Sequence, residues 1–398
     1  MSPRLRFTEL AAVAAAGLFL LSWGALHTAW YDDDEIVDTP VYETYGTAIE
    51  DGAVPYRDIE PEYPPGALPA FVVPALLSSD QEGFRYAFEW LMALCGVAAV
   101  VLTAVTLRGL GATRARTVAA LALVGAFPLL LGSVVLTRFD LYPAALVAGA
   151  VAALVHGRHR LGSGVLGAAV AVKLYPVVLV PLALAYAWRL RGRREAIVCL
   201  AVLAAVVSAA FLPFVAVDPG GVAHSLGHQL SRPLQIESLG SALYLAAHQL
   251  AGIGVEVRSG HGSQNLHATG TAVTAILLSA IQVVALVWIW LRRPGSAEEL
   301  VRWSAAALVA FVALGKVLSP QFLIWLVPVV VLVAAATPAL LLAGALLLTQ
   351  LWFPSRYWEL VRDLDAVPAG LVLARDVVLV GLLLALVRDS RRVAARSR

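Results

Sequence analysis

Charge is scarce in this chain. Asp, Glu, Lys and Arg make up only 14% of its 398 residues, 60% are hydrophobic, and mean hydropathy is +0.80. A soluble domain carries roughly 25% charged and about 45–50% apolar residues, so a cytosolic or secreted globular domain is excluded. Cysteine is nearly absent: Cys95 and Cys199 both lie in apolar runs, which suggests neither a disulfide framework nor a thiolate metal site. Lysine is limited to Lys173 and Lys316, so arginine supplies every loop base. What is abundant is apolar sequence in long runs from end to end, enough for many crossings at about 20 residues each. The expected fold class is an all-α polytopic membrane protein, with residues 1–398 forming one integral membrane domain.

The few charges are segregated along the chain. The first apolar run, from about Glu9 to Trp30, follows Arg4 and Arg6 and is too long for the core of a cleaved signal peptide, so it reads as a retained helix. Tyr31 to Glu62 then holds eleven acids against one base, Arg57. Arginine clusters recur at 108–116, 158–160, 189–194, 292–302 and 388–398; with Arg4 and Arg6 they hold 19 of the 27 arginines. The positive-inside rule places these clusters and both termini in the cytoplasm, and residues 31–79 in a first extracytoplasmic loop. Holding every cluster inside forces about twelve crossings. Three pairs of arms turn at Arg138-Phe139-Asp140, at Lys173-Leu174-Tyr175-Pro176 and near Lys316 to Gln321. The middle pair has about 14 residues per arm, only roughly 20 Å at helical rise. Residues 218–270 form a second large extracytoplasmic loop, and Tyr63 to Ser79 is expected to lie along the surface, because counting it as a span would invert everything after it. Trp352, Tyr357 and Trp358 fit an outer aromatic belt, and Trp188, Trp288 and Trp290 an inner one.

Two lysines inside apolar segments demand explanation, since a cation at membrane depth costs several kcal/mol without an anion or a polar cavity. Two readings stand: snorkelling to the headgroups, or the walls of an anion site open to the outer leaflet. In the acidic loop, Asp32, Asp33, Asp34 and Glu35 read as a solvated charge run. Asp38 has a different context, because Tyr42 lies four residues on and the two would share one face of a short helix. Paired prolines in Glu62-Tyr63-Pro64-Pro65-Gly66 predict an ordered loop. The second loop holds five of the eight histidines; His224 and His228 are four apart, but the first is not followed by Glu as in the metalloprotease pattern, so no metal site is assigned. His228 or Arg232 there would bind phosphate or sugar hydroxyls, against the plainer reading of a helix at the membrane surface. Gly162-Ser163-Gly164-Val165-Leu166-Gly167 fits a dinucleotide-binding pattern but opens a membrane helix and follows arginines rather than a strand, so its small residues are assigned to helix packing.

Taken in order, these motifs resemble a known family. A first outer loop with an acid, surface helices along it and short interior helices are similar to the GT-C glycosyltransferases. Asp38-x-x-x-Tyr42, the Gly52 to Asp58 run, Glu62-Tyr63-Pro64-Pro65, Lys173-Leu174-Tyr175-Pro176 and Lys316-Val317-Leu318-Ser319-Pro320-Gln321-Phe322 resemble glycosyltransferase family 87, the polyprenyl-phosphate-mannose-dependent α-mannosyltransferases. The similarity runs from the first helix to about Pro328; residues 218–270 carry none of the family's motifs. The resemblance implies a plasma-membrane, cell-envelope hexosyltransferase with an extracytoplasmic site. It would move a sugar, mannose in the family, from a polyprenyl-phosphate donor to a glycolipid or polysaccharide acceptor, with inversion. Asp38 falls on the family's general base. Lys316, Lys173, Arg138 and Arg232 are the candidates for the donor phosphate, because negative charge grows there as the glycosidic bond breaks. Tyr42, Tyr63, His228 and Gln321 are the candidate substrate contacts. Membrane lipid is the surrounding partner; no cofactor, metal or nucleic acid is implied. The rival class is a transporter or lipid flippase without transferase activity, which would also place lysines near a polar cavity but needs no long acidic loop ending in a proline-ordered surface helix.

Overall fold

The computed structural model describes residues 3–28 and 36–396, with side chains described for all of these except 3–5, 228–230 and 389–396. Asp32 to Glu35 and the His228 side chain therefore lie outside the described residues. The chain is helical nearly throughout. Helix α1 (Pro3–Ala25) leads into the loop, where α2 (Thr39–Glu50) and α3 (Pro69–Leu76) form the two short loop helices. Helix α4 (Gln81–Gly109) starts where Asp80 Oδ1 accepts the Gly83 amide at 2.7 Å, an N-cap bond. Then come α5 (Arg114–Leu131), a single turn α6 (Val134–Thr137), α7 (Leu141–Val155) and α8 (His159–Val172). Next are α9 (Val180–Arg191) and α10 (Arg193–Val217), separated by Gly192 at φ +87°.

The second loop is ordered as α11 (Pro219–Leu230), α12 (Leu239–Ala251) and an antiparallel hairpin, β1 (Glu256–Gly260) with β2 (Ser263–His267), in the register Glu256 to His267. It is followed by α13 (Thr271–Trp290), α14 (Ala297–Ala313), α15 (Phe322–Val330), α16 (Ala336–Gln350), α17 (Tyr357–Arg362) and α18 (Ala366–Arg396).

Six helices among the described residues are long and apolar enough to cross a membrane: Arg6–Ala25 within α1, then α4, α5, α10 and α13, and Ala366–Arg388 within α18. The other six arms expected from the arginine pattern are α7, α8, α9, α14, α15 and α16, which have 9 to 17 residues. Each falls short of the ~20 residues of a full crossing. Their breaks have local causes. Gly132 adopts φ +79° and ends α5, Pro176 follows the extended Lys173 and ends α8, and Gly315 with Pro320 separates α14 from α15.

The aromatic belt expected around residues 352–358 is corrected by the structure. Trp352 is 0% exposed and Tyr357 only 8%; both pack on Phe353, and the Trp352 ring lies 5.8 Å from the Arg375 guanidinium. An internal guanidinium needs an aromatic face more than the lipid boundary does. On the expected inner belt, Trp188 and Trp288 are exposed.

The glycine pattern 162–167 serves packing, as expected. A Cβ on Gly167 would sit 2.8 Å from the Leu203 carbonyl oxygen of α10, whereas one on Gly164 would meet only side chains, Val202 at 3.3 Å and Val206 at 4.0 Å. Gly167→Ala should therefore lower the thermal unfolding midpoint in detergent, because a backbone must move, at about 1–3 kcal/mol. Gly164→Ala should be neutral or mildly stabilising, since alanine is the better helix former by ~1 kcal/mol.

Candidate functional site

The three helix breaks meet at one point. Lys173, just past α8, donates to Asp140 Oδ1 at 2.6 Å, and the Trp325 indole N–H from α15 donates to the same oxygen. Asp140 is fully buried. Trp325 is stacked between Tyr175 and Phe322, with centroids 4.0 Å away on each side, and the Lys173 ammonium lies 4.5 Å from the Phe139 ring centre. A charge this deep is tolerated because a carboxylate and aromatic faces replace its water.

Two residues before Asp140, buried Arg138 reaches Asp38 across the first loop: its Nε lies 3.1 Å from Asp38 Oδ2, and its Nη2 donates to the Ile36 carbonyl. Asp38 directly precedes α2, and Tyr42, one turn on, donates its hydroxyl to the same Oδ2 at 3.3 Å. The shared face expected for these two residues is thus observed. Among the described residues both side-chain contacts of Asp38 fall on Oδ2, and the side chain is 32% exposed. Tyr42 stacks on Phe71 of α3 at 4.7 Å and meets the Phe139 and Tyr63 rings edge-on, so the loop helices are clamped to the helix breaks by aromatic packing. Burial pushes the phenols of Tyr42 and Tyr63 well up, keeping both as neutral hydroxyls.

The second loop closes over this cluster. Ser225 donates to the Pro61 carbonyl at 2.8 Å, and Gly221 packs against the Tyr56 carbonyl, where no Cβ would fit. The Gln235 amide donates to the Lys316 carbonyl at 3.0 Å, and its side chain donates to Ser319 at 2.8 Å and to the Glu237 carboxylate. Lys316 and Arg232 are thereby brought near one another. Burial, then the charge of Arg232, pull the Lys316 ammonium down, and burial pulls Arg232 down against the fields of Glu62, Tyr63, Glu237 and Asp38. Burial likewise pushes Glu237 up to about 7 against the pull of Arg375, Arg232 and Arg138.

Of the residues picked from sequence, Asp38, Tyr42, Tyr63, Arg138 and Arg232 gather in this cluster, with Lys316 at its edge. Lys173 and Arg138, expected to face the donor phosphate, each already hold a carboxylate. Gln321 begins α15 at the third break. Asp140, Trp325, Gln235, Glu237 and the pair Arg375–Asp376 were not anticipated. The last pair had a signal: two adjacent charges inside an otherwise apolar run, which mark a structural or functional site in a membrane helix. Both are 0% exposed, 2.7 Å apart, and Arg375 also donates to the Glu237 carbonyl. Glu237 had no comparable signal in a polar loop.

Removing one member of a buried ion pair costs about 3–5 kcal/mol, whereas an apolar replacement of both is far milder. Arg375→Leu and Asp376→Leu should each sharply lower the thermal midpoint in detergent. The double variant should lose less than the sum of the two, and a thermal-shift double-mutant cycle measures the difference.

No curated protein matches the chain. The model of glycosyltransferase family 87 matches residues 62–320. That stretch takes in Tyr63, Arg138, Lys173, Arg232 and Lys316, while Asp38, Tyr42, Gln321 and Arg375 lie beyond its ends. It covers well over half of a helical chain with six helices, among the described residues, long and apolar enough to cross a membrane, and the chain belongs to glycosyltransferase family 87, a membrane glycosyltransferase.

Proposed function

We propose that the protein transfers a hexose, mannose by family analogy, from a polyprenyl-phosphate donor to a hydroxyl of a glycolipid or polysaccharide acceptor, with inversion, on the extracytoplasmic face of the plasma membrane. The observation that carries the reading is the state of Asp38: Oδ2 is engaged by Arg138 and Tyr42, and Oδ1 carries no protein partner among the described residues, with the charge of Arg232 nearby and Lys316 next to Arg232.

The chemistry balances with these parts. The acceptor oxygen forms a bond to the anomeric carbon as the bond from that carbon to the phosphate oxygen breaks, its electron pair staying on the phosphate. Asp38 Oδ1 takes the acceptor proton. The donor diester carries one negative charge and the product monoester up to two, so cations near that phosphate stabilise the transition state more than the ground state. Arg232 and Lys316 take this role. Arg138 and Lys173, each held on a carboxylate, serve instead to orient Asp38 and Asp140. Tyr42 holds the base in place, and Tyr63 lines the site as a neutral hydroxyl. His228 and Gln321 remain the proposed acceptor or sugar contacts.

A positioned base contributes roughly 10²–10⁴-fold. Asp38→Asn keeps the shape without the basicity, so transfer of radiolabelled mannose from polyprenyl-phosphate-mannose by the purified protein should fall by about that factor with donor binding retained. Alanine at Asp32, Asp33 or Asp34 should cost much less. Near wild-type transfer by Asp38→Asn would sink the assignment, and a protein that binds but never transfers the sugar would favour a transporter.

The orientation is tested separately. With Cys95 and Cys199 replaced by alanine, a cysteine at exposed Arg57 should react with an impermeant thiol reagent in intact cells, and cysteines at Arg193 or Arg293 only after lysis. The opposite pattern would invert the map drawn from the arginine clusters.

A further inference from the structure

At the arginine-rich end of the bundle, far along the chain from Asp38, α10 packs on α8 and α9 while α13 packs on α12 and α14. Between α10 and α13 lies a cleft of about 580 Å³ floored by α9, and it shares no residue with the Asp38 cluster. Its walls are apolar: Pro181, Leu184 and Ala185 of α9, Ile197 and Leu200 of α10, and Val287 of α13. Three arginines, Arg189, Arg193 and Arg293, stand along it, and none has a carboxylate within 4 Å among the described residues. Other arginines, Arg116 with Glu298 and Arg160 with Glu195, are paired with acids at 2.6 and 2.8 Å.

The basic end of the cleft is built rather than frayed. Arg189 Nη1 donates to the Arg293 carbonyl at 2.7 Å, and its guanidinium lies over Gly295, where a Cβ would sit 3.0 Å from Cζ. Arg293 holds φ +47°, a left-handed conformation uncommon for a residue with a side chain. The backbone bend and the Arg189 bond thus keep like charges together at one end of an apolar slot. Such repulsion is relieved by an anion, and two of the helices that wall the slot, α10 and α13, are long and apolar enough to cross a membrane.

We propose that this cleft is a binding site for one anionic phospholipid, its phosphate on Arg193 and Arg293 with Arg189 behind, and an acyl chain along Leu184, Ile197, Leu200 and Val287. A zwitterionic lipid offers the same tails but cancels the phosphate charge. A soluble phosphate offers the charge without the tails. The charge and the apolar slot together select a lipid with both.

The test is native mass spectrometry of the delipidated full chain titrated with phosphatidylglycerol or phosphatidylcholine of matched acyl chains. Wild type should retain one phosphatidylglycerol in clear preference to phosphatidylcholine. Each basic residue near an anionic headgroup contributes about fivefold, so Arg193→Gln/Arg293→Gln should weaken that binding about twentyfold or more. Arg108→Gln/Arg158→Gln, which removes the same charge away from the cleft, should leave it unchanged. Leu200→Trp, which fills the slot and keeps every charge, should weaken both lipids. Equal retention of the two lipids by wild type, full retention by the cleft double variant, or an equal loss in the control variant would each overturn the proposal. So would unchanged binding in Leu200→Trp.

Discussion

A carboxylate buried where three interrupted helices meet must find a cation, and here the cation comes from the end of another interrupted helix. The bond between Asp140 and Lys173, completed by the Trp325 indole, joins the segment before α7, the end of α8 and the start of α15. Either charge alone at this depth would cost several kcal/mol, so the pair holds three otherwise independent breaks in one register. Arg138 stands two residues away on the same short segment, and its reach to Asp38 is fixed by that register. The position of the proposed base therefore follows from an ion pair that does not touch it.

The loops complete what the breaks begin. Tyr42 and Phe71 belong to the two short helices of the first loop, Phe139 belongs to the first break, and their rings form one packed cluster. On the other side, residues 235–237 are strung between the Lys316 carbonyl and the Arg375 guanidinium. Helix α18, beyond the stretch matched to the family, thus supports a segment within it. Charge balance is shared across the cluster: Asp38, Glu62 and Glu237 stand among Arg138, Arg232, Lys316 and Arg375, which keeps the region polar in a bundle that is otherwise apolar.

Much of the fold was legible because apolar length and arginine placement act locally along the chain. The positions of the breaks at 138–140, 173–176 and 316–321 follow from glycine, proline and isolated charge in apolar sequence, and helices end there. The pairing of Asp38 with Tyr42 follows from a four-residue spacing on a helix face. The fate of Trp352 and Tyr357 did not follow, because an aromatic residue at the end of an apolar run reads the same whether it faces lipid or the protein interior, where Trp352 meets a buried guanidinium.

The sequence by itself determined that the chain is a helical membrane protein, where its helices break, and that its scarce cations are of unequal kind: many arginines in loops, two lysines in apolar runs. Only the tertiary structure decided what those cations hold. Lys173 met Asp140, Arg138 met Asp38, and Arg375 met the Glu237 carbonyl. The physical reason is distance along the chain: Arg138 and Asp38 are 100 residues apart, Arg375 and Glu237 are 138. No periodicity or spacing links such positions, and the cost of burying an unpaired charge selects a partner only once packing has brought the candidates together.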